Sequence, residues 1–420
     1  MTAPARAHVV GAGLAGLAAA VRLADAGIAV TLYESAQHAG GRCRSYFDAT
    51  LGCRIDNGNH LLMQGNGAAM AYLAAIGAGD TLTGPEEADY PFLDLATGER
   101  WVLRPGRGRL PWWLFDRGRR VPGTSLRDYL AAARLALAQP ADTVAAVLDP
   151  QSVMYRRFWR PLTVAALNTR AREASALLLG RVLRESFGRG GAACRPLMPK
   201  IGLSESLIEP ALAHLRQRGA EIRFVARLRG IEIADGRIAA LGFEAGGEPV
   251  ASGEMVVLAV PAPVAVRLVR GLDAPDQFRA IVNAHYRISI GDDAPFFVGL
   301  IGGTAEWVFR KREVLSVTVS AADRLIDQPA EELSLRLWRD VEQAYGLTPQ
   351  KMPPAQIVKE RRATFAATPA ELARRPKQRT RWPNLALAGD WTDTGLPATI
   401  EGAIRSGFAA ADEVLAVKTT

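Results

Sequence analysis

Apolar positions in the first 35 residues are arranged for burial on both faces rather than one. AHVVG at 7–11 and AVTLYE at 29–34 are short, nearly unbroken apolar runs, the pattern of parallel strands covered on both sides, and 14–26 between them carries small residues at helical spacing. Together they predict a strand–helix–strand unit. Helical spacing returns at 125–138 and 173–187, and again at 205–218, where Gly219 ends it. Runs at 221–225 and 228–233, a turn at Asp235-Gly236 and EMVVLAV at 254–260 predict strands. Strand patterns recur at 296–301 and 314–319, a helix at 330–345, and LALAGD at 385–390 predicts a last buried strand before a helix at 399–415.

The predicted class is α/β. A Rossmann-type nucleotide-binding domain is assembled discontinuously from 1–70, 201–265 and 381–420, and a mixed α+β substrate domain is inserted as 71–200 and 266–380. Length agrees with two cores, because a single core stops growing at roughly 250–300 residues and the chain has 420.

Composition, with 49% apolar and 22% charged residues, is that of an ordinary globular protein. The net charge of +8 is carried by arginine, since only six of 51 cations are lysine. Such an excess suits anionic partners, but no nucleic-acid module is present in the pattern. Three cysteines, Cys43, Cys53 and Cys194, lack metal-ligand or disulfide spacing. They predict a reducing, cytoplasmic setting and no metal. The opening MTAPARAHVVGAG leaves no room for a signal segment before the first strand, and no stretch of about 18 uncharged apolar residues occurs that could span a bilayer.

Gly11-Ala12-Gly13-Leu14-Ala15-Gly16 fits G-x-G-x-x-G at a strand-to-helix junction. Gly11 permits the tight turn, Gly13 lets a pyrophosphate approach backbone, Gly16 allows close helix–strand contact, and the helix N-terminus offers free N–H groups to phosphate. Glu34 follows 23 residues after Gly11, with Ser35 beside it, where a carboxylate accepts ribose hydroxyls and repels a 2′-phosphate. NAD and FAD remain; NADP is disfavoured. Gly40-Gly41-Arg42 adds a second glycine turn and a guanidinium that can pair with phosphate.

These residues resemble the extended nucleotide motif of the flavoprotein amine oxidase and phytoene desaturase superfamily. That resemblance implies FAD, with Gly40, Gly41, Arg42 and Arg44 along the diphosphate and flavin. LALAGDWTDTGLPATIEGAIRSGF at 385–408 is similar to the family's closing flavin motif. It implies that Gly389 and Asp390 meet the ribityl chain and that the helix opening at Thr399, Ile400, Glu401 and Gly402 points its N-terminus at the flavin, where it would stabilise anionic reduced flavin. IRFVARLRGI at 222–231 is similar to the strand whose backbone meets adenine, which places Leu228 there. Attached cysteines in the family lie in the C-terminal third; here no cysteine follows Cys194 and no histidine follows His285, so non-covalent FAD is expected. No second G-x-G-x-x-G with a strand-end acid occurs, so the electron donor stays open.

AIVNAHYRISIG at 280–291 lacks the lysine that amine oxidases often place beside the flavin. RIDNGNHLL at 54–62 and FWRPLTVAALNT at 158–169 resemble instead the hydroxysqualene dehydroxylase family of hopanoid synthesis. The resemblance implies a long-chain isoprenoid substrate, loss of water from an allylic alcohol, and hydride from reduced flavin N5. Carotenoid-type desaturation is the alternative, then amine oxidation, then a flavin-binding scaffold without turnover. His60, Asp56 and Glu401 are candidate proton donors, His60 foremost because histidine titrates near neutrality, with a structural hydrogen-bonding role as the competing reading. Cys43 is read as a small buried residue. WVLRPGRGRLPWWLFDRGRR at 101–120, with Trp101, Trp112, Trp113, Leu114 and Phe115 among arginines, is either a peripheral anchor on an anionic bilayer or part of the substrate-domain core. Arg374, Arg375, Lys377, Arg379 and Arg381 are expected to be a solvated loop.

Overall fold

The computed structural model describes residues 6–348 and 351–417; residues 1–5, which include the start of the opening segment, lie outside it. Five parallel strands form the first sheet, in the spatial order Glu221–Arg223, Ala29–Tyr33, Arg6–Val10, Glu254–Leu258, Leu385–Leu387. The strands come from three separated stretches, and the order reverses direction beside Arg6–Val10, at whose C-terminal end ligands of such sheets bind. The helix Leu14–Asp25 presses its alanines onto the sheet, and the helix Ile400–Ala416 packs against it. Their closeness depends on Gly407, where a Cβ would stand 2.2 Å from the Ala15 carbonyl oxygen.

A second sheet of seven strands has the order Ala355–Phe365, Phe278–Arg287, Val314–Val319, Trp307–Lys311, Phe297–Ile301, Tyr90–Asp94, Arg100–Leu103. All neighbours are antiparallel except Phe297–Ile301 with Tyr90–Asp94, which joins the two inserted segments. Alternation divides its faces. Val282, Ala284, Tyr286, Val308, Leu315 and Val317 form a dry layer against the helix Ala330–Tyr345. The opposite face carries Phe92, Phe297, Trp307 and Phe309 toward one end, and Asn283, His285, Ser316 and Lys311 toward the other.

Three departures from the expected elements have local causes. The 125–138 helix is two short pieces, Leu126–Tyr129 and Ala131–Ala136, the first started by a capping box between Ser125 and Asp128 and the junction tightened to three-residue bonds, Leu130 N–H to Arg127 O and Ala133 N–H to Leu130 O. The 205–218 helix opens as a wide π turn over Ser204–Ile208, because Pro210 has no N–H to continue the ordinary ladder. Asp235 and Gly236 both take positive φ, 50° and 73°, in a hairpin turn that leads to strands Arg237–Phe243 and Gly246–Pro249. Those two strands had no clear alternation.

The helix contact gives a direct test. Gly407→Ala should lower stability by about 1–3 kcal/mol, the usual range for overpacking, read as a fall in the guanidinium midpoint with unchanged slope.

Candidate active site

Gly11 leaves the first strand at φ +105°, its N–H donating to the Tyr33 carbonyl at 2.7 Å. A Cβ at Gly11 would lie 2.5 Å from the Ala259 carbonyl oxygen, and one at Gly16 only 1.8 Å from the Gly11 carbonyl oxygen. Gly13 differs: a Cβ there would meet no protein atom within 4 Å. Its open side lies at the N-terminus of Leu14–Asp25, where no side chain caps the helix and the N–H groups of Leu14, Ala15 and Gly16 have no intrahelical partner. The second glycine turn packs on the first. Gly40 N–H donates to Ala12 O at 2.8 Å, with Gly40 and Gly41 at φ +110° and +57°.

Glu34 closes one side of this cradle, accepting from Ala12 N–H at 2.8 Å, Ala36 N–H at 2.9 Å and the Ser35 hydroxyl at 3.1 Å. The segment after Glu221–Arg223 runs beside it, with Val225 N–H donating to Ala36 O and Ala226 N–H to Glu34 O. Val225 is exposed and at φ +57°, a conformation that β-branched residues resist. Leu228, buried, begins the next strand opposite Phe243.

The carboxy-terminal motif reaches the same place. Gly389, at φ +152°, donates to Ser406 Oγ at 2.8 Å, and a Cβ on it would strike the Trp391 ring. Next to it Asp390 binds Arg42, Nη2 to Oδ2, at 2.7 Å, and Arg42 also donates to the Ala363 carbonyl. Asp390 raises the basicity of Arg42 further. Thr399 caps the last helix by accepting from Gly402 N–H at 3.0 Å, so Ile400 is the first helical residue. Arg375 is not in a solvated loop: it is buried and donates to the carbonyls of Leu396, Asp390 and Thr392, which fixes the 390–396 turn. Burial lowers its guanidinium to about 10, which keeps it charged.

The three proton-donor candidates fare differently. Glu401 is buried and fully engaged, accepting from Ala68 N–H, Ala69 N–H and Arg405, so it caps the helix Gly67–Ala75 instead of reaching a substrate. Asp56 pairs with Lys311 at 2.7 Å and accepts from Leu203 N–H and Ser45 Oγ. Burial pushes its carboxyl up, but these partners outweigh burial and hold it below the usual value, ionised at neutral pH. His60 does not titrate near neutrality. Burial brings it down, opposed by Asp56 and helped by the charges of Lys311 and Arg42, to about 4. Cys43 is buried, and burial pushes its thiol up.

Residues 14–290 and 297–415 match the family described as flavin containing amine oxidoreductase. The chain belongs to that family. This flavin-containing amine oxidoreductase is 50% identical to a hydroxysqualene dehydroxylase of Rhodopseudomonas palustris, over 97% of this chain and 98% of that one. It is 47% identical to a hydroxysqualene dehydroxylase of Sinorhizobium fredii, over 99% of this chain and 100% of that one. Its fold is shared with cyclohexylamine oxidase from Brevibacterium oxydans, at 17% identity and a TM-score of 0.72, covering 98% and 99% of the two chains. The family makes it a flavin-dependent oxidoreductase, and the uncapped helix end, the open side of Gly13 and the Arg42–Asp390 pair fit such a cofactor.

Three residues of this oxidoreductase escaped the sequence. Lys311 lies outside the stretch searched for a lysine, yet the fold brings it to Asp56. His285, also on the seven-stranded sheet, bonds through Nδ1 to Ser316 Oγ at 2.7 Å. Glu306, just before the strand Trp307–Lys311, accepts from Ser320 N–H at 2.8 Å and is lifted by burial to about 7. None has a motif around it.

His60 supplies a pH test. Between pH 6.5 and about 4 the unfolded chain carries a proton on this histidine that the folded chain refuses. The wild type therefore loses stability as pH falls through that window, by about 1.4 kcal/mol per pH unit at this site. The stability difference between wild type and His60→Gln should shift toward the variant on acidification by that amount, measured by chemical unfolding at pH 7, 6 and 5.

Proposed function

We propose that this enzyme removes the allylic hydroxyl of hydroxysqualene reductively, giving squalene in hopanoid biosynthesis, with FAD held without a covalent bond. The observation that carries this reading is residue-for-residue similarity, over almost the whole chain, to two hydroxysqualene dehydroxylases. The seven-stranded sheet is consistent with it: one face carries a buried aromatic cluster and, further along, polar side chains.

Gly11, Gly13 and the N–H groups of Leu14, Ala15 and Gly16 hold the diphosphate in this reading, Glu34 and Ser35 the ribose, and Leu228 the adenine. Gly40, Gly41 and Arg42 lie along the diphosphate and flavin, and Gly389, Asp390, Thr399 and Ile400 meet the ribityl chain and ring edge. Bound and reduced, FAD supplies the hydride that replaces the leaving hydroxyl. The protein's own part is to hold the isoprenoid, exclude water and direct hydrogen bonds at the oxygen. His60, uncharged at neutral pH, acts there as a hydrogen-bonding group.

Denaturing the purified yellow protein should release FAD, and the reduced holoprotein should convert hydroxysqualene to squalene anaerobically with the number of double bonds unchanged. Absence of squalene, or new conjugation in the product spectrum, would overturn the assignment.

An isoprenoid of this length resides in membranes, and a docking surface is the second part of the proposal. Trp101 does not belong to it, being buried and stacked on Phe92, and Trp113 packs partly on the core. Leu110, Trp112, Phe115, Leu130 and Leu137 are instead largely exposed, as are Arg107, Arg109 and Arg117. No helix among the described residues is long and apolar enough to cross a membrane, so contact would be interfacial. Combining Trp112→Ser, Phe115→Ser and Arg117→Glu should reduce co-sedimentation with anionic vesicles more than about fivefold, given about 1 kcal/mol per surface arginine, while turnover of detergent-dispersed substrate persists. Unchanged sedimentation would remove the surface from the account.

A further inference from the structure

Across the polar end of the seven-stranded sheet, side chains of adjacent strands and of the loop 57–60 form a hydrogen-bonded series whose direction can be worked out. Asn283 and His285 share a face of Phe278–Arg287 and stand opposite Thr318 and Ser316. Thr318 has one hydroxyl proton, and it donates to Asn283 Oδ1 at 2.9 Å. Thr318 Oγ1 can then only accept from Asn59, which turns the Asn59 Nδ2 toward it at 3.0 Å. Asn59 Oδ1 is left enclosed with no hydrogen-bond partner.

The second pair is read the same way. Ser316 is wholly buried and its hydroxyl meets His285 Nδ1 at 2.7 Å. If the imidazole donated, the serine proton would be buried without an acceptor; with serine as donor, Nδ1 accepts and the ring proton sits on Nε2. His285 is 1% exposed, and its Nε2 has no partner either. Burial, with Lys311 against Asp56, brings this histidine down to about 3, so it stays neutral and keeps that single N–H. Two enclosed orphans therefore lie on one face of the sheet, an acceptor in the Asn59–Thr318–Asn283 series and a donor in the Ser316–His285 pair two register positions along. The Asn59–Thr318–Asn283 series touches the cofactor cradle, because Asn283 Nδ2 donates to Asn57 O and Asn57 Nδ2 to Arg42 O.

We propose that Asn59 Oδ1 and His285 Nε2–H are the alcohol-recognition groups of this enzyme: the imidazole N–H donates to the hydroxyl oxygen of the isoprenoid and the amide oxygen accepts its hydrogen. An alcohol satisfies both orphans, whereas a hydrocarbon satisfies neither, and sites built to hydrogen-bond a hydroxyl discriminate strongly against analogues that lack it. Ser316 and Thr318 are positioning residues, which set the tautomer and the amide orientation. The inference rests on the reading that the substrate is an oxygenated isoprenoid.

Binding, not turnover, tests it. Oxidised flavin-loaded protein is titrated with hydroxysqualene and squalene, and with farnesol and farnesene, following the flavin absorbance. Wild type should prefer each alcohol over its hydrocarbon at least about tenfold. His285→Leu should bring that preference close to one while hydrocarbon affinity and flavin content hold, and His285→Gln, which can present an N–H at similar reach, should restore part of it. Asn59→Ala should also lower it. If His285→Leu does not retain flavin, Ser316→Ala carries the test, since freeing Nδ1 unsettles the tautomer and should weaken the preference. Wild type without an alcohol preference, or a preference that survives these substitutions, overturns the proposal. A protein that prefers alcohols in the expected way yet never forms squalene keeps the recognition site and loses the proposed reaction.

Discussion

One ion pair joins the second glycine turn to the carboxy-terminal motif: the guanidinium of Arg42 against the carboxylate of Asp390, residues 348 positions apart. Each is held from behind. Gly40 and Gly41 bend the chain so that Arg42 leaves the second glycine turn, and Arg375 grips three carbonyls of the turn that follows Asp390. Breaking either support would leave one charge facing the other's vacated place. The geometry of the cradle is thus set by contacts that belong to neither motif when each is considered alone.

The seven-stranded sheet shows a second division of labour. One face is entirely committed to packing against a helix, with Leu315 and Val317 in the dry layer. That commitment frees the opposite face from a stabilising role and lets it carry polar side chains in a mostly enclosed setting. Buried polar groups of this kind need partners, and Thr318 supplies one to Asn283 and Ser316 one to His285 Nδ1.

What could be read from the sequence was what local sterics or helix ends dictate. Gly11 and Gly16 are glycine because backbone oxygens stand where a Cβ would be, and Thr399 precedes its helix because a hydroxyl is needed there. Contacts set by cross-strand register left no trace: His285 meets Ser316 only because two strands pair in one alignment. The strand Ala355–Phe365 escaped for another reason. It lies at the sheet edge and carries Lys359, Glu360, Arg361 and Arg362, charges that protect an edge from unwanted pairing but erase the alternation that marks a strand. Charge density misled in the same way at Arg375, since a cluster of arginines does not reveal which one turns inward. Glu401 and His60 were placed near the cofactor by the motif, but burial and partners, invisible in one dimension, decide what they can do.

The first sheet takes one edge strand, Leu385–Leu387, and the helix packed on Leu14–Asp25, Ile400–Ala416, from residues far along the chain from its first strand. During synthesis the amino-terminal strand–helix–strand unit emerges first and stays without this cover until nearly everything else has been translated, a delay of tens of seconds at about 5–20 residues per second. Throughout that interval the small-residue surface around Ala15 and Ala18 lacks its native cover, the cost of a core shared by segments so far apart in sequence.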